Sequence, residues 1–118
     1  MSVQTEKQQV TRRVHHFAQM KQSGQKITVV TAYDYPTSLA AEGSGADVVL
    51  VGDSLGMVAL GMDSTIPVTM DIMVHHTSAV RRGVKKAFLV ADMPFLSYHV
   101  NRENTLANAG RLVQEAGA

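Results

Sequence analysis

Apolar residues recur along this chain at two spacings, and the alternation between them lays out its elements. Val14, Phe17 and Ala18, with Lys21 continuing the row behind Thr11, share one side of a helix with a period of about 3.6 residues. Ser23-Gly24 closes that pattern, so residues 11–22 are expected to form a short amphipathic helix that serves as a lid or a packing element. Residues 27–32, 46–51 and 87–91 have a different character: short, β-branched or apolar runs without a polar face, which predicts three buried strands.

Helical patterns separate the strands. Asp34, Pro36, Thr37 and Ser38 precede Leu39-Ala40-Ala41 with the chemistry of a helix start, and Gly43 and Gly45 end that helix. Thr69 is placed as an N-cap for a helix whose face runs through Met70, Met73, Val74, Thr77, Val80 and Val84, with Arg81 and Arg82 at the negative end of its dipole. Asn101 caps a last helix along Leu106, Ala109, Leu112, Val113 and Ala116. Strands alternating with helical crossovers imply a parallel sheet of the α/β class. Between Gly52 and Pro67 the residues suggest irregular chain, longer than the usual 2 to 6 residues of such a loop, and long ordered loops are commonly functional.

Composition narrows the function classes. Lys and Arg number 11 against 10 Asp and Glu, leaving a net charge of +1 and no electrostatic case for nucleic acid or an anionic membrane. No run approaches the roughly 20 apolar residues of a bilayer span, and residues 1–9 are polar, unlike a signal or transit peptide. With no cysteine, disulfides, thiolate metal sites and a Cys nucleophile are excluded, and a cytoplasmic setting is the expectation.

Candidate chemistry concentrates where the second strand breaks at Gly52-Asp53-Ser54. This turn falls at the C-terminal end of a parallel strand, the end at which open α/β sheets and barrels bind ligands. Gly52-Asp53-Ser54-Leu55-Gly56 fits the Gly-x-Ser-x-Gly pattern of a serine esterase, which would make Ser54 a nucleophile. Such an elbow passes straight into a helix, and the irregular stretch expected after Ser54 argues against it. Gly43-Ser44-Gly45 lacks the third glycine of a dinucleotide fingerprint and precedes a strand. A third alternative pairs Asp53 with Asp92, just past the third strand, because adjacent strands ~4.8 Å apart bring both carboxylates to one rim. Two such groups repel unless a cation or a shared proton compensates, and an all-oxygen donor set suits Mg²⁺, which can act on a 2-oxo acid as a Lewis acid. The plainer alternative is that each Asp caps its own turn. The neighbouring pairs His15-His16 and His75-His76 point in different directions on a helix and are assigned to surface or packing roles.

Several longer motifs now carry a resemblance. Leu50-Val51-Gly52-Asp53-Ser54-Leu55-Gly56-Met57, Asp63-Ser64-Thr65-Ile66-Pro67-Val68-Thr69, His76-Thr77 with Ala79-Val80-Arg81-Arg82-Gly83, and Ala91-Asp92-Met93-Pro94-Phe95-Leu96-Ser97-Tyr98 closely resemble the ketopantoate hydroxymethyltransferase family. Thr31-Ala32-Tyr33-Asp34 and Glu115-Ala116-Gly117-Ala118 fit as well, and Met62 stands where Tyr is common. The resemblance implies that residues 1–118 are the N-terminal portion of one (β/α)8 TIM barrel: an N-terminal helix and the first three βα units, ending before strand 4. It also implies transfer of a hydroxymethyl group from 5,10-methylenetetrahydrofolate to 3-methyl-2-oxobutanoate, giving 2-dehydropantoate on the pantothenate pathway, in a homo-oligomer. Carried over residue by residue, Asp53 and Asp92 serve a Mg²⁺ site and the substrate, and Ser54 holds the substrate carboxylate. The family's substrate-binding Lys, a metal-associated Glu and the general base, another Glu, would fall beyond residue 118. The full-length protein is therefore the expected active species. A non-catalytic fragment associating with full-length subunits is the alternative.

Overall fold

In a computed structural model describing residues 10–118, the elements follow in the order α1 (Val14–Gln22), β1 (Val29–Thr31), α2 (Tyr35–Gly43), β2 (Val48–Val51), α3 (Leu55–Val58), α4 (Met70–Gly83), β3 (Phe88–Ala91) and α5 (Arg102–Gln114). The expectation for residues 1–9 lies outside the described residues. The strands form one parallel sheet ordered β1-β2-β3, with Thr31 opposite Leu50 and Val51 opposite Ala91. The sheet is open, so the α/β class and parallel pairing hold while closure into a barrel is absent among the described residues.

Local chemistry starts the helices where the polar residues stand. Asp34 accepts the Thr37 N–H at 2.8 Å, Thr69 that of Ile72 at 3.3 Å and Asn101 that of Asn104 at 2.8 Å, each satisfying an amide with no partner inside its helix. α2 and α4 cross closely because Gly83 has no side chain: a Cβ there would lie 1.9 Å from Oγ of the buried Ser38. The core joins Val49 and Val51 of β2 and Leu89 of β3 to Met73, Val80 and Val84 of α4 and its C-cap, with Ala41 and Leu112 at its margins. Each fully buried Val, Leu or Met there contributes about 1.5–3 kcal/mol relative to exposure.

Two expectations are corrected. β1 is exposed at all three residues instead of buried, because it is an edge strand and α2 packs on β2 while α4 packs on β2 and on the other edge strand, β3. The stretch after Gly52 is not irregular throughout, since Leu55–Val58 forms the short α3. Leu55 anchors that turn in the core, and Gly56 lets Val68 come close, a Cβ at Gly56 falling 2.4 Å from Val68 Cγ2.

At the N-terminal ends of the strands, Asp47 accepts hydrogen bonds from the Thr28 amide, the Thr28 hydroxyl and Arg12 Nε, all at 3.0 Å. The Arg12 amide donates to the Lys86 carbonyl at 2.7 Å, and Phe17 meets Phe88 edge to face. These contacts tie α1 and its lead-in to the base of the sheet. α1 is thus a packing element, on the side away from the Gly52-Asp53-Ser54 turn. No helix among the described residues is long and apolar enough to cross a membrane.

Candidate metal and 2-oxo-acid site

The parallel register brings the ends of all three strands to one rim. Tyr33 lies two residues past β1, Asp53 two past β2 and Asp92 one past β3. The Asp53 amide donates to Asp92 Oδ2 at 3.1 Å, so the two turns are joined directly across the β2–β3 ladder. Gly52 permits this approach: a Cβ on it would stand 3.3 Å from Asp92 Oδ2 and 3.1 Å from Ser54 Oγ. Asp92 therefore does satisfy a turn amide, but that of the neighbouring strand's turn.

Burial, and then the charge of Asp92, push the Asp53 carboxyl above its ordinary range, while the amides of Asp53 and Ser54 draw it partly back. Among the described residues no Lys or Arg forms an ion pair with either carboxylate. Asp53, Asp92, Met93 and Tyr98 line an open cavity of about 500 Å³. Two adjacent carboxylates without a cationic partner among the described residues, facing a cavity whose charged side chains are these two alone, fit a divalent hard cation such as Mg²⁺, which keeps several water ligands. No cluster of three or more His, Asp or Glu side chains assembles among the described residues, so these two would be a partial ligand set.

Ser54 is half-buried, and its hydroxyl lies 2.7 Å from the Tyr33 hydroxyl. Although it stands at the N-cap of α3, its side chain makes no capping hydrogen bond. Contrary to the irregular stretch expected after Ser54, a short helix follows it directly, yet the elbow reading is disfavoured on other grounds. Ser54 has relaxed right-handed backbone angles (φ −54°, ψ −17°) where an elbow is strained, and its described hydrogen-bond partner is a phenol instead of a histidine base.

Sequence reasoning assigned no role to Tyr33, Tyr98 or Met93, although all follow strand ends on the same rim. The rule that selected Asp53 and Asp92 extends to Tyr33 unchanged. Tyr98 is brought in by a turn held by Ser97, whose amide and hydroxyl donate to the Pro94 carbonyl at 3.0 and 2.7 Å and whose own carbonyl accepts from Asn108. That turn places Leu96 at φ 63°, a left-handed conformation that costs a non-glycine residue roughly 1–2 kcal/mol. The paired histidines take the expected surface and packing positions, His15 and His75 being exposed, but the expected divergence of the first pair is corrected. His15 and His16 are not splayed apart, their ring centroids lying 4.1 Å from each other, and His16 Nδ1 accepts the Arg13 amide in a local cap. His75 is exposed, whereas His76 reaches across to the Tyr33 carbonyl.

A parallel three-stranded sheet flanked by helices, with paired carboxylates and a hydroxyl on its C-terminal rim, defines a chain of the α/β class. Comparison with known proteins makes this specific: the family model described as ketopantoate hydroxymethyltransferase matches residues 11–118, and the chain belongs to that family. It is 60% identical over 102 residues to the 3-methyl-2-oxobutanoate hydroxymethyltransferases of Bacillus cereus (strain AH187) and Bacillus thuringiensis (strain Al Hakam). The same identity relates it to the enzyme of that name from Bacillus anthracis (strain A0248). In each case the match covers 86% of this chain and 37% of the relative.

Proposed function

We propose that these residues supply part of the active site of a hydroxymethyltransferase acting in pantothenate biosynthesis. The reaction moves a one-carbon unit from 5,10-methylenetetrahydrofolate to 3-methyl-2-oxobutanoate and yields 2-dehydropantoate. Asp53 and Asp92 hold Mg²⁺, Ser54 donates a hydrogen bond to the substrate carboxylate, and the general base belongs to the remainder of a (β/α)8 barrel. When bound, the metal supplies Lewis-acid polarisation of the 2-oxo group. The observation that carries this reading is the joined Asp53–Asp92 pair, whose negative charge has no partner within the described residues.

Ser54 stands beside this pair with a hydroxyl that its own helix does not use. A carboxylate presented to the rim needs both a counter-charge and a donor, and the arrangement offers a place for the first and supplies the second. The test uses a completed barrel, in which this chain is joined at Ala118 to the remaining length of the Bacillus cereus relative. That protein should exchange the α-proton of 3-methyl-2-oxobutanoate in a Mg²⁺-dependent manner and restore growth of a strain lacking the transferase. Retention of full exchange by the Asp53→Asn form would sink the assignment.

A further inference from the structure

We propose that Tyr33 and His76 are positioning residues that aim the Ser54 hydroxyl at the carboxylate of the 2-oxo acid. This rests on the role given to Ser54 above. The argument begins with proton counting. A serine hydroxyl carries one proton, and Tyr33 Oη lies 2.7 Å from Ser54 Oγ, so one of the two oxygens must donate to the other. If Ser54 gave its proton to Tyr33, it would present only lone pairs to an anionic ligand. Donation from Tyr33 to Ser54 leaves the serine proton free for the substrate. The chain of donors then runs from Tyr33 to Ser54 to carboxylate, and each bond polarises the next.

Tyr33 can impose that direction only if it is itself held, and it is held at several points. Its side chain packs against the buried core. The Ala32 amide, donating to the Leu50 carbonyl at 3.1 Å, is the last bond of the β1–β2 ladder, so the Tyr33 carbonyl has left the sheet. His76 Nδ1 meets that carbonyl at 2.7 Å. A carbonyl only accepts, so Nδ1 carries the proton, in the neutral or the charged ring alike. His76 is fixed in turn by α4, whose Met73, Thr77 and Val80 are fully buried. The relay therefore links the rigid core helix to the loop after β1 and to the turn after β2. It gives one member of an adjacent histidine pair a role that its exposed neighbour His75 does not share.

In the completed barrel, Tyr33→Phe keeps the ring and removes only the donor. It should raise KM for 3-methyl-2-oxobutanoate about fivefold, the worth of one hydrogen bond, with kcat within about twofold. Because Tyr33 acts through Ser54, Tyr33→Phe should add nothing further to KM in a Ser54→Ala background. His76→Leu should reproduce the KM rise, and His76→Asn, whose amide nitrogen overlays Nδ1, should restore KM toward the starting value. An unchanged KM in Tyr33→Phe while Ser54→Ala raises it would overturn the proposal and leave the role of Ser54 standing. Equal KM increments from Tyr33→Phe in the presence and absence of the Ser54 hydroxyl would overturn it too. Should Ser54→Ala itself leave KM unaltered, the substrate role of Ser54 falls, and the relay with it.

Discussion

Asp47 and Asp53 stand at opposite ends of the same strand, β2, and their surroundings treat the two carboxylates in opposite ways. Burial alone would push Asp47 up, but hydrogen bonds from the Thr28 amide and hydroxyl, then the charge and hydrogen bond of Arg12, hold it below the ordinary value of 3.8. Burial and the neighbouring Asp92 leave Asp53 above that same value. The first carboxylate is fully partnered by described residues, and the second has no cationic partner among them. One carboxylate is satisfied by its surroundings and the other stands beside a like charge, so the two ends of one strand differ in character: the N-terminal end secures the fold, and the C-terminal end carries the pair to which the proposed function assigns a metal.

The largest effect that would break this contrast is on activity. In the completed barrel, Asp53→Asn should lower Mg²⁺-dependent α-proton exchange by on the order of 10²-fold or more, since metal polarisation is worth several kcal/mol. Proton exchange followed by NMR checks this, and Asp47→Asn should leave the exchange rate within about twofold. The next effect is on stability, with the roles reversed. The Asp47 and Arg12 side chains are only 11% and 29% exposed, so this is no freely solvated surface pair. Asp47→Asn should cost about 1–3 kcal/mol in urea unfolding by leaving the Arg12 charge and the Thr28 donors poorly matched. By contrast, Asp53→Asn should be neutral or stabilising by up to about 1 kcal/mol, because it removes a repulsion.

Gly52→Ala sharpens the comparison by disturbing only the upper end. Its Cβ would fall 3.1 Å from Ser54 Oγ and 3.3 Å from Asp92 Oδ2, so both groups must give way. Mg²⁺ affinity measured by calorimetry should drop about tenfold, by analogy with disturbed outer-shell contacts of metal sites, with little change in unfolding midpoint.

The smallest effect is the pH dependence of stability, where the two carboxylates act with opposite sign. Asp47, with its pKa depressed on folding, contributes stability that is present above its unfolded value of 3.8 and lost as pH falls through its folded value. Asp53, with its pKa raised, contributes stability that is present below 3.8 and lost as pH rises through its folded value. Urea midpoints followed between about pH 3 and pH 7 should show a shallower acid-side loss in Asp47→Asn and a shallower decline toward neutrality in Asp53→Asn. Saturating Mg²⁺ should cancel the decline toward neutrality in the unsubstituted protein and in Asp47→Asn, both of which keep the Asp53–Asp92 pair, and have little effect on Asp53→Asn.

Much of the frame was legible in the residue order because the forces that set it are local. Thr69, Asn101 and Asp34 cap helices as their side-chain chemistry requires, and the apolar runs around Val49 and Leu89 form strands. Asp53 and Asp92 could be placed on one rim because a parallel sheet has only one C-terminal edge. The errors arose where a distant partner decided the outcome. β-branched Val29 and Val30 form a strand as predicted, but their burial depended on what covers the edge of the sheet. Leu55 starts a helix despite flanking glycines because the core beneath it accepts its side chain.

By itself, then, the sequence determined the order of the elements apart from α3, the parallel sheet, the helix starts at Asp34, Thr69 and Asn101 and the rim on which the carboxylates stand, all consequences of periodicity and capping within a few residues. Only the tertiary structure decided how those groups are partnered. Asp47 meets Arg12 across 35 positions, Asp92 meets the Asp53 amide across 39, and His76 meets the Tyr33 carbonyl across 43. A hydrogen bond requires two groups within about 3 Å, and over such separations no local pattern records which groups the packed sheet and helices will bring together.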